Sequence, residues 1–377
     1  MSKSNNKHII IPVFINNLGC PANGKCIFCN QESSGGEVSD ITGSAAFVKK
    51  YIRDVFRVKV LPSSFSFEIA FYGGTFTALE KDVQTAAFAS CRRAVEEELS
   101  SAPRECVFKG FRVSTRPDFI DKDRLETLAG NGVETVEIGV ESFDDGVLEF
   151  SGRGYRGEVA FNAAKLIKTS GFALCVHLMC GLPYQTRRIF FADVDKAVSI
   201  APDYARLHPL CVLRGTPAAG IFAARPELFS GDEELINQTA YALARLELSG
   251  ALVIRAGILE NDRFRKDVIS GPSQPNLREV AESRIHSAVF DHLRRHAPGN
   301  SRFLVETADE KIKSHLIGYR KENILKNNDI ILEIKNKMLY NETEAEAAYI
   351  YVSSAQRGNF IRSFTRTEVL REYIDNI

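Results

Sequence analysis

Residues 8–30 read HIIIPVFINNLGCPANGKCIFCN. Most of His8–Ile15 is β-branched or aromatic, the composition of a buried strand. Cys20, Cys26 and Cys29 follow within ten residues as C-x5-C-x2-C. A strand running straight into a thiol-rich loop sets the frame for the rest of the chain. If the strand belongs to a parallel barrel, its carboxyl end is the face on which active sites are built.

Working outward, strand-like and helix-like patterns alternate. Strands are expected at Ser66–Tyr72, Val107–Ser114, Val133–Val140, Phe172–Met179 and Asp203–Leu210. Helices are expected at Ile41–Phe56, Glu80–Leu99, Asp121–Ala129, Gly157–Thr169 and Thr186–Ile200. Repeated strand–helix units imply a parallel sheet with crossover helices. Six units are too few for an eight-fold barrel and suit an incomplete barrel or an open doubly wound sheet. Strands of an open sheet covered on both faces should be continuously apolar. Here Arg112 and Ser114, Glu137, His177, and Arg206 and His208 recur at period two, which places them on one face. Turned inward, that face makes a polar chamber.

The 377 residues suggest one large domain and a smaller one, and 44% hydrophobic with 25% charged residues is ordinary for a globular enzyme. Lys+Arg and Asp+Glu balance at 48 each, so bulk charge does not grip nucleic acid or an anionic membrane, although a local basic patch is compatible with it. No apolar run reaches the roughly 18 residues of a membrane span. The stretch MSKSNNKHIIIPVF has too short an apolar run for a signal peptide, so a cytoplasmic protein is expected. After Leu210 the pattern is helical over Asp232–Leu248, then strand-like over Leu252–Ile258. Glu260–Pro275, with prolines, glycines and charges, reads as the boundary between domains at 1–260 and 261–377. Beyond it come a helix, Leu277–His296, and a strand–helix–strand tail.

In a reducing compartment the eight cysteines should be thiols. Cys91, Cys106, Cys175, Cys180 and Cys211 lie among apolar neighbours and read as inert packing. The Cys20–Cys29 group reads as ligands of an iron–sulfur cluster, of a zinc ion lacking a nearby fourth ligand, or as unliganded thiols. The other strand ends carry chemistry too. FYGGTFT (71–77) offers Gly73 and Gly74 for close backbone approach, with the hydroxyls of Thr75 and Thr77. VSTRPDF (113–119) offers Arg116 for a carboxylate or phosphate. IGVESFDD (138–145) offers Glu141 and Ser142, and LMCGLPYQT (178–186) offers Gly181.

Together with IGVESFDDGVLEFSGRGY (138–155) and RLHPLCVLRGT (206–216), these motifs resemble the radical S-adenosylmethionine (SAM) enzymes across about residues 8–258. The nearest branch is the radical SAM domain of the elongator catalytic subunit, with oxygen-independent coproporphyrinogen oxidase more distant. The resemblance implies an incomplete (β/α)6 TIM-like barrel with a small C-terminal α+β extension. It implies an oxygen-sensitive 4Fe–4S cluster on Cys20, Cys26 and Cys29 whose fourth iron chelates SAM, and reductive cleavage of SAM to a 5′-deoxyadenosyl radical. Phe28 would pack against the cofactor, and Gly73, Gly74 and Thr75 would meet the methionine amino group. Ser114 and Glu141 would reach the ribose or methionine part, Arg153 the methionine carboxylate, and Gly181 the adenine edge. Two departures stand out: many members have C-x3-C-x2-C, whereas two extra residues fall within Ala22–Lys25 here, and Gln is common where Glu141 stands.

Glu137, His177, Arg206 and His208 are candidates for later proton transfers or substrate contacts. A reducing electron donor of the flavodoxin or ferredoxin type is implied as a partner. The elongator relatives add an acetyltransferase domain; roughly 120 residues follow 258, too few for it, and QRG at 356–358 is too slight for an acetyl-CoA loop, so acetyl transfer is not expected. HLIGYRKENI (315–324) resembles an RNA-binding GXXG turn with Lys321 in place of the second glycine, and otherwise reads as a solvated amphipathic helix. The substrate is an RNA, as in a tRNA-modifying relative, or a small molecule. The rival from another class is a zinc or iron–sulfur binding module without catalysis. The tail is expected to act as a lid or substrate domain.

Overall fold

The computed structural model describes residues 7–15, 18–21, 26–30, 43–57, 64–100, 105–258, 262–272, 276–296, 303–307, 309–326, 332–335, 350–354 and 360–377. Its frame is a sheet of parallel strands: β1 (Lys7–Phe14), β2 (Ser64–Tyr72), β3 (Glu105–Thr115), β4 (Val133–Glu141), β5 (Ala173–Cys180), β6 (Tyr204–Pro209) and, set aside for the moment, β7 (Val212–Leu213), then β8 (Leu252–Ala256). The order β1-β2-β3-β4-β5-β6-β8 follows the sequence, so each crossover moves one strand along. This is a curled, incomplete barrel of the TIM-like type. A seventh parallel strand, β8, extends the six expected units by pairing with β6.

The crossover helices are α1 (Ser44–Arg57), α2 (Lys81–Leu99), α3 (Lys122–Gly130), α4 (Asp145–Phe150), α5 (Gly157–Thr169), α6 (Arg187–Val198), α7 (Pro217–Ala224) and α8 (Asp232–Leu248). Between sheet and α2 the core is phenylalanine-rich: Phe71, Phe76, Phe88 and Phe111 are each essentially inaccessible and meet at ring-centroid distances of 4.8–6.2 Å. Each such ring stabilises the fold by roughly 1.5–3 kcal/mol through burial alone. The short helices α4 and α7 do not stand out in the hydrophobic pattern; α4 is set by its cap, Asp144, whose carboxylate accepts from Val147 N.

Residues 260–275, the expected boundary, include α9 (Asp262–Asp267) and β9 (Val268–Ser270), and β9 pairs antiparallel with β7. Part of that segment therefore returns to the barrel's carboxyl end. Next comes α10 (Leu277–His296), which packs on α8, followed by β10 (Phe303–Glu306), α11 (Glu310–Ile317), α12 (Glu322–Lys326), β11 (Leu332–Lys335), β12 (Ile350–Ser354), β13 (Phe360–Phe364) and α13 (Arg366–Ile374). These strands form a second sheet in the order β11-β10-β12-β13. The stretch 315–324 is not one solvated helix: α11 stops at Gly318 (φ +84°), and Arg320 and Lys321 also take positive φ before α12. No helix among the described residues is long and apolar enough to cross a membrane. Residues 22–25 and 356–358 lie outside the described residues.

Candidate active site at the carboxyl ends of the strands

The cysteine loop and the glycine turn are locked together. Leu18 N donates to Ile15 O (3.2 Å) and Thr75 N donates to Leu18 O (2.8 Å). A Cβ built on Gly74 would stand 2.4 Å from Leu18 O, and one on Gly19 would stand 2.2 Å from Thr75 O, with Gly19 also at φ +75°. Neither distance is tolerable, so both positions must be glycine. Thr75 Oγ1 lies 3.5 Å from Cys20 Sγ. The turn after β2 and the loop after β1 thus share one backbone contact surface. Gly19 went unnoticed, although it directly precedes the first cysteine.

The Cys26–Cys29 half of the loop is held from the other side. Ile27 N donates to Ser151 O (3.1 Å), and Ala218 N at the start of α7 donates to Ile27 O (2.9 Å). Phe28 packs with Val147 of α4 and with Met179, Leu182 and Leu210 at the ends of β5 and β6. Burial and the neighbouring Cys26 and Cys20 thiols push the Cys29 thiol up to about 12. Bare, the Cys29 sulfur resists ionisation; a bound metal would reverse that, because the thiolate is the ligand form. Arg153 Nη1 donates to Cys26 Sγ at 3.1 Å, adding a positive charge beside the sulfurs. Three soft donors in mutual electrostatic reach, with a cation alongside, fit an iron–sulfur cluster.

Arg153 projects from a Gly152–Arg153–Gly154 turn in which both glycines have positive φ. Its guanidinium is buried and also donates to Gly139 O and, at 2.9 Å, to Tyr155 Oη. Glu141 faces it at 3.7 Å from a left-handed backbone (φ +63°) that side chains rarely adopt. Gly139 makes room for the pair, since its Cβ would meet Glu141 Oε1 at 2.6 Å. The glycine of IGVES, interrupting a run of strand-forming residues, was the available signal. Ser114 is partly exposed on β3, in register with Glu137. Gly181 takes a left-handed backbone (φ +81°) that favours glycine, and its missing Cβ faces the Cδ2 of Leu235 on α8 at 2.5 Å.

Three expected ligand-binding groups are already engaged. Ser142 Oγ donates to Asp193 Oδ2 (2.7 Å), Arg116 forms a fork on Asp118 (2.9 and 2.8 Å), and Thr77 Oγ1 donates to Phe119 O (2.6 Å). They shape the loops rather than offer binding groups. Burial raises the Asp193 carboxyl to about 6 against the bonds from Ser142, Phe143 N and Gln185 that hold it down.

Inside the barrel the polar face is assembled as the period-two pattern suggested. Glu137 has no solvent exposure and accepts from Arg112 Nη1 (2.8 Å), Tyr72 Oη (3.0 Å), Arg206 Nε (2.8 Å) and His177 Nε2 (2.6 Å). Despite burial, which alone would raise it, His177, Arg206 and Arg112 hold the Glu137 carboxyl well below its usual range. Its acceptor sites are filled. Glu137 is therefore corrected from a proton-transfer candidate to a positioning residue that orients Arg206 and His177. Arg112 is shared with Glu68 at 2.9 Å. Tyr72 and Glu68, unremarked in the sequence, belong to the same network. His208 lies beside His177, ring centroids 5.5 Å apart, and burial with that neighbour and Arg206 pushes its imidazolium well below the ordinary value. Cys175, expected among apolar neighbours, instead abuts Glu137 and Arg206; burial pushes its thiol well up. A cleft of about 580 Å³ opens at the amino ends of the strands, near His8, Lys109, Lys168 and Tyr204, opposite the cysteine loop.

Residues 18–196 match the radical SAM superfamily. The tRNA uridine(34) acetyltransferase of Methanocaldococcus infernus is 24% identical over 300 residues, covering 72% of this chain and 55% of that protein. Elongator complex protein 3 of Mus musculus is 28% identical over 230 residues, covering 58% and 41%. The chain thus spans about half the length of the curated relatives it matches. The structure of the archaeal M. infernus Elp3 with an N-terminal deletion superposes with a TM-score of 0.56 at 18% identity, over 95% of this chain and 77% of that one, a likeness of fold.

Proposed function

We propose that the chain, whose residues 18–196 match the radical SAM superfamily, is an enzyme of that type with a 4Fe–4S cluster and SAM as cofactors, and that it cleaves SAM reductively at a cluster held by Cys20, Cys26 and Cys29. The observation that supports this reading is convergence: the cysteine loop, the Arg153–Glu141 pair and the Phe28 pocket all lie at the carboxyl ends of the strands that enclose the polar chamber. When bound, the cluster and SAM supply an electron and a sulfonium whose cleavage yields a 5′-deoxyadenosyl radical.

The protein's own contribution is orientation and exclusion of water. Arg153 and Glu141 present opposite charges suited to the carboxylate and amino groups of a methionine moiety. Gly73, Gly74 and Thr75 bring backbone to the same place, and Phe28 supplies an apolar wall beside Met179 and Leu182. Ser114 and Gly181 line the approach to the ribose and the adenine. In the chamber, Arg206 and His177 are held by Glu137, and His208 stays neutral, ready to accept or donate a hydrogen bond. Residues 1–260 serve as the catalytic core and 261–377 as a lid or substrate domain.

A second reading gives the chain an RNA substrate, and the relatives named as tRNA uridine(34) acetyltransferases favour it. The exposed Arg320 and Lys321 at the left-handed turn after α11 are candidate phosphate contacts. Such an enzyme draws electrons from a flavodoxin or ferredoxin type donor and works in the cytoplasm.

Anaerobic reconstitution should yield roughly four irons per chain and, with dithionite, production of 5′-deoxyadenosine. Alanine at Cys20, Cys26 or Cys29 should abolish both, and Cys91→Ala neither. Stoichiometric zinc with no iron uptake overturns the reading. Alanine at Lys313, Arg320 and Lys321 should leave uncoupled SAM cleavage intact while weakening RNA binding and its salt dependence. Unchanged RNA affinity points to a small-molecule or protein substrate.

A further inference from the structure

A third guanidinium enters the polar chamber from its last strand. Arg255 of β8 stands in register with Arg206 of β6. Residues side by side on neighbouring parallel strands point to the same face, and Arg206 reaches inward to Glu137. Arg255 therefore faces the lumen too. It is half-buried, and among the described residues it makes no hydrogen bond or ion pair.

Its charge is left over. Two carboxylates of the network, Glu68 and Glu137, face three guanidiniums, those of Arg112, Arg206 and Arg255. Glu137 already accepts from Arg112, Tyr72, Arg206 and His177. Tyr72 and Cys175 supply no anion, because burial pushes the hydroxyl and the thiol well up. Like charges directly opposite one another on neighbouring strands repel. Burial and the Arg206 charge accordingly hold the Arg255 guanidinium below its ordinary value. His208 lies two residues beyond Arg206 and so on the same face, half-buried and without a hydrogen bond among the described residues. Burial, His177, Arg206 and Arg255 keep its imidazole neutral, with an N–H to donate.

We propose that Arg255, with His208 beside it, anchors a terminal oxyanion, a carboxylate or a phosphate monoester, on a small-molecule substrate of the chamber. The inference rests on the chamber being the substrate site of a radical SAM enzyme. Depth selects the class of guest. Arg206 stands three residues before Pro209, the end of β6, which sets this level about 10 Å below the rim. The end of a small molecule reaches that far, whereas a phosphate of an RNA backbone is flanked by ribose on both sides. A guanidinium grips an oxyanion through paired N–H donors, so a neutral analogue leaves Arg255 as unpaired as before.

The test uses the anaerobically reconstituted full chain, with and without saturating SAM. Acetate and inorganic phosphate are titrated separately by calorimetry, with ionic strength held constant by chloride. One equivalent should bind in the presence of SAM, and the tighter of the two names the oxyanion. Arg255→Met should weaken that binding about 10–100-fold, the worth of a charged hydrogen bond, and Arg255→Lys should retain part of it. In urea, metal-free Arg255→Met should unfold at a higher midpoint than the wild-type chain when no anion is added, because the repulsion from Arg206 is gone; added anion should narrow that difference. If Arg255→Met fails to fold, phenylglyoxal labelling of the wild-type chain decides: Arg255 should be modified, and the anion should protect it. Binding of neither anion, or equal affinity in the Arg255→Met chain, overturns the proposal. Loss of anion binding on addition of SAM does so as well, because it gives Arg255 to the cofactor. Iron content of the same samples separates the two readings: an iron-loaded chain that binds neither anion overturns this inference alone, and an iron-free chain that still binds one overturns the cluster alone.

Discussion

Replacing Glu137 by Gln removes one negative charge from a network that excludes water, and the cost follows from who is left unpaired. Arg112 keeps Glu68 at 2.9 Å, so its charge remains compensated. Arg206, 7% exposed, has no other carboxylate partner among the described residues; Tyr72 Oη at 2.7 Å is neutral. The new amide nitrogen also brings donors against the donors of Arg206 or His177. Breaking a buried pair from one side costs about 3–5 kcal/mol, and that range is expected here. Urea unfolding of the metal-free chain should register it as a lower midpoint at unchanged slope. Arg206→Met removes the orphaned charge while keeping volume, so the double variant should recover about 1–3 kcal/mol relative to the sum of the single losses. The acid limb carries a second signature. Because the folded carboxyl titrates well below its unfolded value near 4.5, its stabilisation is present above that pH and disappears as pH falls through the folded value. Glu137→Gln should flatten that part of the acid limb. A loss under about 1 kcal/mol with full additivity would refute the view that this carboxylate anchors the chamber.

Gly74→Ala should drive a methyl against Leu18 O, built 2.4 Å away, costing about 1–3 kcal/mol; both iron content and SAM affinity should fall, and loss of SAM affinity alone would mean that the loops move independently. Arg153→Met should leave the strands intact but remove the donor to Cys26 Sγ and the partner of Glu141; SAM affinity measured on iron-matched protein should drop, and unchanged affinity would take Arg153 out of the SAM site. Asp193 titrates near 6 when folded against 3.8 as its ordinary value, so its stabilisation is present below 3.8 and lost as pH rises through 6. The stability of Asp193→Asn relative to wild type should therefore rise between those pH values, by up to about 3 kcal/mol; an unfolding series across that window checks the sign.

What could be read from the chain was whatever depends on period and spacing. The strand–helix alternation was visible because Val, Ile and Phe runs mark each strand, and α8 and α10 match their expected spans, Asp232–Leu248 and Leu277–His296. Alternating polar residues announced the chamber because side-chain direction in a strand follows from parity. Pairing did not. Whether Ser142 or Arg116 is available depends on Asp193 and Asp118, and whether Glu137 can carry a proton depends on β2, β3, β5 and β6 together. Those are facts of three-dimensional neighbourhood. Helix α4 escaped notice because only six residues form it, too few for an amphipathic period.

The reciprocal contact of Gly19 and Gly74 has a consequence for how the enzyme comes to be loaded. Leu18 O can receive Thr75 N only after β2 has docked beside β1, with the register Phe14 opposite Tyr72. The cysteine loop thus takes its shape from a parallel pairing that spans more than fifty residues of chain, and Ser151 and Ala218 complete it from still farther along. In a zinc finger the ion organises an otherwise unfolded peptide. Here the backbone bonds from Thr75, Ser151 and Ala218 predict the reverse order, with the polypeptide closing before the metal arrives. Iron delivery should then be a late event in the life of the chain, and metal-starved protein should accumulate as a folded barrel awaiting its cargo.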